Sequence, residues 1–224
     1  MRLLRINAFL LPSIGPETLK DCAPKIRVDI VSDSRETKRL LREEALTRRD
    51  ALEVEVRIDR AWLMAGYAGE IDFIPGTIIS GFLPIHSEID ARPLMAELRK
   101  MGAQLCLPAV ISKTEIIFRK FDRQGELIPA GFGTLAPPKD TAILDPQIML
   151  VPLSAYDARG HRIGYGAGHY DRAIAKLIEK DLTPRLIGVG FNCQRIDLVP
   201  DETHDVALEA IITETGLHRF PLQG

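Results

Sequence analysis

The sequence predicts an α/β protein: a three-layer α/β/α fold around a mostly parallel sheet. Two observations carry that prediction. Several short runs are continuously apolar, among them "PGTIISGFLPI", "AQLCLPAV", "QIMLVPLSAYD" and "RLIGVG", as strands covered on both faces are. Amphipathic stretches alternate with these runs, which is the pattern of strand and helix in a parallel sheet. At 224 residues the chain is one large domain, or one domain with a small appendage.

The elements follow in chain order. Residues 1–32 lack clear periodicity and read as an N-terminal extension, with a single domain over 33–224. Asp33 with Glu36 three residues later signals a helix start. The helix "SRETKRLLREEALTRRDAL" sets Leu40, Leu41, Ala45 and Leu46 on one broad face. A second helix around "RIDRAWLMAGYAG" ends at glycine. "PGTIISGFLPI" is a buried strand that Pro84 breaks into a loop. In "DARPLMAELRKMG", Pro93 suits an early helical position, Leu94, Leu98 and Met101 share a face, and Gly102 closes the helix. "AQLCLPAV" and "TEIIFRKF" are strands, and "QIMLVPLSAYD" is a strand leading to the glycine loop "GHRIGYGAGHYDR". The helix "YDRAIAKLIEK" follows, then the strand "RLIGVG"; "HDVALEAIITE" fits a strand or a short helix.

Charge and cysteine content narrow the function. A formal net charge of −2 argues against a protein that coats nucleic acid, while leaving room for small anionic ligands held by local cations. Cys22, Cys106 and Cys193 lie far apart without a C-x-x-C pair, so neither a disulfide framework nor a zinc knuckle is expected, and a reducing cytoplasm suits the chain. The start "MRLLRINAFLLPSIGPE" is interrupted by Asn7 and Pro12 and lacks an A-x-A cleavage site, so no secretory leader is expected. No run reaches the ~18–20 apolar residues of a membrane span. His86, His161, His204 and His218 lack metal-ligand spacing and read as surface or loop residues.

Gly164, Gly166 and Gly168 occupy alternate positions between Arg162 and Asp171. The loop is neither a Rossmann fingerprint, since His169 fills the third glycine position, nor a Walker A loop, which ends in Gly-Lys-Ser/Thr. Bare backbone there can aim N–H groups at an anion. A helix starting near His169 adds its positive end. Arg162 suits a phosphate, and Asp171 suits Mg²⁺ that also touches nucleotide phosphates. A tight turn with a solvated arginine and a capping aspartate fits the spacing equally well.

"KRLLR" (38–42), "GFLPIHSEID" (81–90), "CLP" (106–108), "GFGTLAPP" (131–138), "VPLSAYDARGHRIGYGAGHYDR" (151–172) and "HDVALEAIIT" (204–213) occur in this order. Together they resemble the 5-formyltetrahydrofolate cyclo-ligase family, also called 5,10-methenyltetrahydrofolate synthetases, from about residue 34 to about 213. The resemblance implies a fold like that of ribose-5-phosphate isomerase and CoA-transferase proteins. It also implies a reaction in which ATP phosphorylates the formyl oxygen of 5-formyltetrahydrofolate. N10 then attacks, giving 5,10-methenyltetrahydrofolate, ADP and phosphate, with Mg²⁺ required.

Carried over by position, the resemblance assigns Lys38 and Arg42 to the nucleotide phosphates, with the loop Arg162, Gly164, Tyr165, Gly166, Ala167, Gly168, His169 and Tyr170 touching ATP. Catalysis falls to Arg162, His169 and Tyr170. Leu83 and Glu88 meet the folate, the latter through its pterin, and Tyr165 to His169 border it too. Asp171 and Asp205 are the magnesium ligands. By their own spacing, Lys38 and Arg42 fit a solvated helix face, and Asp205 an ordinary acidic loop. Glu88 alone fits a charge at a helix N-terminus, although Asp90 stands better placed to cap.

Some family members carry arginine at the position of Tyr165, lysine at that of Ala167 and tyrosine at that of His169. Those replacements leave open a non-catalytic member that binds folate or nucleotide. A sugar-phosphate isomerase on a similar sheet is a further alternative. The expected ligands are ATP and 5-formyltetrahydrofolate, polyglutamylated or not, bound by a monomer with neither nucleic-acid nor membrane partners.

Overall fold

The computed structural model describes residues 34–122, 125–131, 133–201 and 205–221. The extension 1–32, Asp33 of the first helix start and His204 lie outside the described residues.

The elements run α1 (Ser34–Asp50), α2 (Val54–Ala65), β1 (Ile78–Ser80), α3 (Arg92–Lys100), β2 (Gln104–Val110), β3 (Ile116–Lys120), β4 (Ile128–Pro129) and β5 (Leu135–Ala136). There follow β6 (Ile148–Pro152), β7 (Ala155–Tyr156), β8 (Arg162–Ile163), α4 (His169–Ile178), β9 (Arg185–Val189), β10 (Ala210–Thr213) and β11 (Gly216–Arg219). The main sheet has the order β11-β10-β9-β6-β1-β2-β3. Its five inner strands are parallel, and β11 and β3 close the edges antiparallel.

Strand periodicity sorts the core into two layers. Ile148 and Leu150 of β6, with Leu105 and Leu107 of β2, meet Met64 of α2 and Leu94 and Leu98 of α3 on one face. Met149 and Val151 of the same β6, with Cys106, meet Ala173, Ile174 and Leu177 of α4 on the other. The three-layer α/β/α architecture is the expected one. Pro93 sits in the first turn of α3, and Gly102 takes the positive φ of 100° that ends it. "HDVALEAIITE" resolves to strand β10 at Ala210–Thr213.

Several details differ from the sequence expectation. Helix α1 does not bury a leucine stripe, since Leu40 is exposed. It packs Leu41 and Ala45 against the small β7–β8 hairpin and buries Arg49 in the last turn. Helix α2 begins before "RIDRAW" at Val54, and Gly66 stays right-handed, leading to a short 3₁₀ turn at Ala68–Glu70. Met101 is exposed, and Met95 takes the buried place beside Leu94 and Leu98. Only Ile78–Ser80 of the "PGTIISGFLPI" run is strand, and "QIMLVPLSAYD" splits into β6 and β7. Among the described residues no helix is long and apolar enough to cross a membrane.

Candidate active site

Chain order reverses between β6 and β1, and at such a point the loops beyond the strand ends diverge and leave a crevice. A cleft of about 440 Å³ opens there, reaching Phe82 beyond β1, Val110 at the end of β2 and Pro152 at the end of β6. That volume suits a small-molecule ligand. Every side chain and glycine given a role in the sequence analysis lines this cleft, from Lys38 to Asp205.

One wall is built to meet an anion. Lys38 and Arg42 lie one turn apart on α1 and project toward the glycine loop. Arg42 Nε donates to the carbonyl of Gly164 at 2.7 Å. Arg162, on β8, donates to the Val206 carbonyl at 2.6 Å and to Asp171 Oδ1 at 2.5 Å. The loop then turns into α4 through Gly168, whose φ of 64° is left-handed. A side chain there would be strained and would meet Arg172. Gly164 differs: its φ is not positive, and a Cβ at that position would meet nothing within 4 Å. The fold therefore does not demand glycine at 164, and the space beside it belongs to the cleft. Helix α4 starts at this loop with His169, so the positive end of its dipole falls beside the cleft.

The other wall is less polar. Leu83, Phe82 and Ile85 line it beside Glu88. Glu88 Oε2 accepts from the backbone N–H of Ile85 at 2.9 Å. Burial pushes its carboxyl above the ordinary range, against the Ile85 N–H and the charge of Arg49. Asp90, not Glu88, takes the first-turn amide of α3, accepting from the N–H of Arg92 at 2.9 Å. Tyr165 projects from the glycine loop, with its hydroxyl pushed up to about 12 chiefly by burial. The Tyr170 hydroxyl is fully buried, has no hydrogen-bond partner among the described residues, and belongs to a residue lining the cleft. Burial holds it far above the usual phenol range. An orphan hydroxyl beside a cleft is a donor left for a ligand.

Asp171 and Asp205 complete the cleft. Each is tied to one of its cations, Asp171 to Arg162 and Asp205 to Lys38 Nζ at 3.0 Å. Among the described residues no group of three or more His, Cys, Asp or Glu side chains gathers as a metal site. The donor set here is carboxylate oxygen alone, which fits Mg²⁺, an ion that takes one or two carboxylates and fills its sphere with phosphate and water.

Sequence reasoning missed two residues around this cleft, His161 and Arg49, and left Arg172 without a defined contact. His161 is not a surface histidine but 6% exposed, and it lines the cleft. Arg172 holds the glycine loop from below, donating to the carbonyls of Ala167 and Thr114; its place in "YDR" was the available signal. Arg49 is buried with its guanidinium 5.8 Å from the Tyr165 ring centroid, and "TRRD" gives no hint of that. His169, left without a definite partner by the sequence, contacts the Lys113 carbonyl through Nε2 at 3.0 Å.

Similar sequences and folds recur in known proteins. A 5-formyltetrahydrofolate cyclo-ligase of Mycolicibacterium smegmatis is 31% identical over 186 residues, covering 79% of this chain and 93% of that protein. The Escherichia coli K12 protein of the same name is 28% identical over 141 residues, covering 60% and 76%. Among solved structures, the 5,10-methenyltetrahydrofolate synthetase of Aquifex aeolicus matches with a TM-score of 0.66 at 25% identity, over 84% of this chain and 94% of its own. The one from Mycoplasma pneumoniae has a TM-score of 0.61 at 24% identity, over 79% and 98%, and speaks to the fold. The model of the 5-formyltetrahydrofolate cyclo-ligase family matches residues 34–214, nearly all of the α/β/α domain and every residue singled out at the cleft. The chain belongs to the 5-formyltetrahydrofolate cyclo-ligase family of ligases.

Proposed function

We propose that the chain converts 5-formyltetrahydrofolate and ATP to 5,10-methenyltetrahydrofolate, ADP and phosphate. One observation carries this: a single cleft holds two opposed chemistries, cations and a glycine loop on one wall, a half-buried carboxylate among apolar side chains on the other. The γ-phosphoryl group passes to the formyl oxygen as its bond to ADP breaks. The N10 lone pair then attacks the formyl carbon, the N10 proton is released, and the carbon–oxygen bond breaks as phosphate leaves. No protein nucleophile is required, so the chain's work is positioning and charge neutralisation.

Lys38, Arg42 and Arg162 receive the triphosphate, with the amides of Gly164 to Gly168 and of the α4 start. Glu88 accepts hydrogen bonds from the pterin N–H groups, and Leu83 packs against the ring. The unpartnered Tyr170 hydroxyl and His169 lie in the first turn of α4, where either can donate to the oxygen being transferred. Asp171 and Asp205 would hold Mg²⁺, which when bound neutralises phosphate charge. Phosphate arrival gives Arg162 and Lys38 new partners and releases both carboxylates for that ion. We place the protein in the cytoplasm as a monomer, acting on free or polyglutamylated folate.

The test mixes purified protein with 5-formyltetrahydrofolate, with and without Mg-ATP, and follows methenyl-folate absorbance and ADP together. Both rise only with Mg-ATP if the proposal holds. A flat trace with folate binding intact by calorimetry identifies a non-catalytic binder and refutes it.

A further inference from the structure

None of the roles above uses Arg49. It sits on the last turn of α1 and is 2% exposed. Its Nε donates to Ser87 Oγ at 2.9 Å, and Ser87 Oγ in turn donates to Asp50. The guanidinium lies 5.8 Å from the Tyr165 ring centroid, within cation–π range. Nη1 is buried and has no hydrogen-bond partner among the described residues. Burying a guanidinium with an unfilled N–H is costly, and an apolar side chain of the same length packs as well. The residue next to Ser87 is Glu88.

We propose that Arg49 is a positioning residue for the folate end of the cleft, holding the Glu88 loop through Ser87, setting its charge beside that carboxylate and backing the Tyr165 ring from behind. The proposal rests on the cyclo-ligase reading for the identity of that ligand. Its geometry is independent of it: α1, the loop carrying Glu88 and the glycine loop converge on one guanidinium. The titratable groups facing Glu88 are Arg49 from α1, Tyr165 from the glycine loop, Tyr170 from α4 and His86 on its own loop. Of these, Arg49 is the permanent cation. Burial pushes the Glu88 carboxyl up, and the Ile85 N–H and Arg49 restrain it. Without Arg49 the carboxyl rises further and protonates nearer neutrality, and a protonated Glu88 loses one of the two acceptors a pair of ring N–H groups needs.

The test compares Arg49→Met, whose unbranched stem fills the site without a charge, with Arg49→Lys, which restores one. In ligand-free protein, carboxyl ¹³C NMR follows the titration of Glu88. Its midpoint rises by about one pH unit in R49M and returns toward wild type in R49K. By calorimetry at a pH below the wild-type midpoint, R49M binds 5-formyltetrahydrofolate about tenfold more weakly, and raising the pH above both midpoints recovers the loss; Mg-ATP affinity stays unchanged. An unshifted Glu88 midpoint, or a folate defect that pH does not relieve, overturns the proposal. If R49M fails to fold, the wild-type Arg49 Nε–H resonance serves: it moves with the Glu88 midpoint if the two are coupled, and stays fixed if they are not. Failure of wild type to bind folate would sink the cyclo-ligase reading, while the NMR coupling stands or falls separately.

Discussion

Glu88 and Asp171 make the sharpest contrast in the cleft, because the same functional group is asked for opposite things. Glu88 is largely buried and burial pushes its carboxyl up, so it loses one of its two acceptors at a higher pH than an ordinary glutamate does. Folate affinity is then full above the folded-state pKa and falls as pH drops through it. Glu88→Gln removes the charge, weakens folate binding by ten- to a hundredfold (about 1.5–3 kcal/mol), and abolishes that acid limb; calorimetry across pH checks both. Asp171 is half exposed and tied to Arg162. Asp171→Asn leaves the fold intact and raises the Mg²⁺ concentration for half-maximal turnover about tenfold; an unchanged Mg²⁺ dependence excludes it as a ligand. Asp157 belongs to neither role. It is fully buried and accepts from the amides of Arg159, His161 and Val199 and from the Arg159 side chain. Asp157→Ala orphans those donors and costs about 3 kcal/mol, measurable by urea unfolding.

At the scale of elements, the loop between β8 and α4 separates two uses of glycine. Gly168 is required by its left-handed backbone, so Gly168→Ala destabilises the protein by about 1–2 kcal/mol whatever is bound. Gly164 has open space beside it, so Gly164→Ala leaves stability within about 0.5 kcal/mol yet weakens Mg-ATP binding. Urea unfolding and calorimetry on both variants check the pair, and retention of full nucleotide affinity in G164A would remove the loop from the phosphate site. The sequence shows three glycines alike; only backbone torsion and neighbouring atoms tell them apart. The inner strands were legible for a similar physical reason, since double-sided burial leaves an unbroken apolar run. Helix α1 was misread because leucine count suggested an apolar face. Its inward face is Lys38, Leu41, Arg42, Ala45 and Arg49, set by a polar cleft and a small hairpin rather than by the main sheet. Strand β11 and the β4–β5 hairpin escaped notice because their short edge segments carry little periodicity.

Over the whole molecule, the cleft exists only when distant segments meet. Lys38 reaches Asp205 across 167 positions, and Arg42 reaches Gly164 across 122. Resemblance placed these residues in one site before any geometry did, because no local spacing links the first helix to the acidic residue near the chain's end. Since the site is absent from the unfolded chain, each ligand stabilises the fold by mass action, about 2.7 kcal/mol at a hundredfold excess over its Kd. For a protein of this size that is a rise in Tm of about 5–10 °C. Mg-ATP and 5-formyltetrahydrofolate should each produce it, measured by circular dichroism. Glu88→Gln should lose the folate shift and keep the nucleotide shift, and Asp171→Asn should do the reverse. A folate shift equal in wild type and E88Q would place the pterin elsewhere. A nucleotide shift insensitive to both chelation of Mg²⁺ and D171N would detach the metal from the carboxylate pair, leaving Asp171 and Asp205 as partners of Arg162 and Lys38 only.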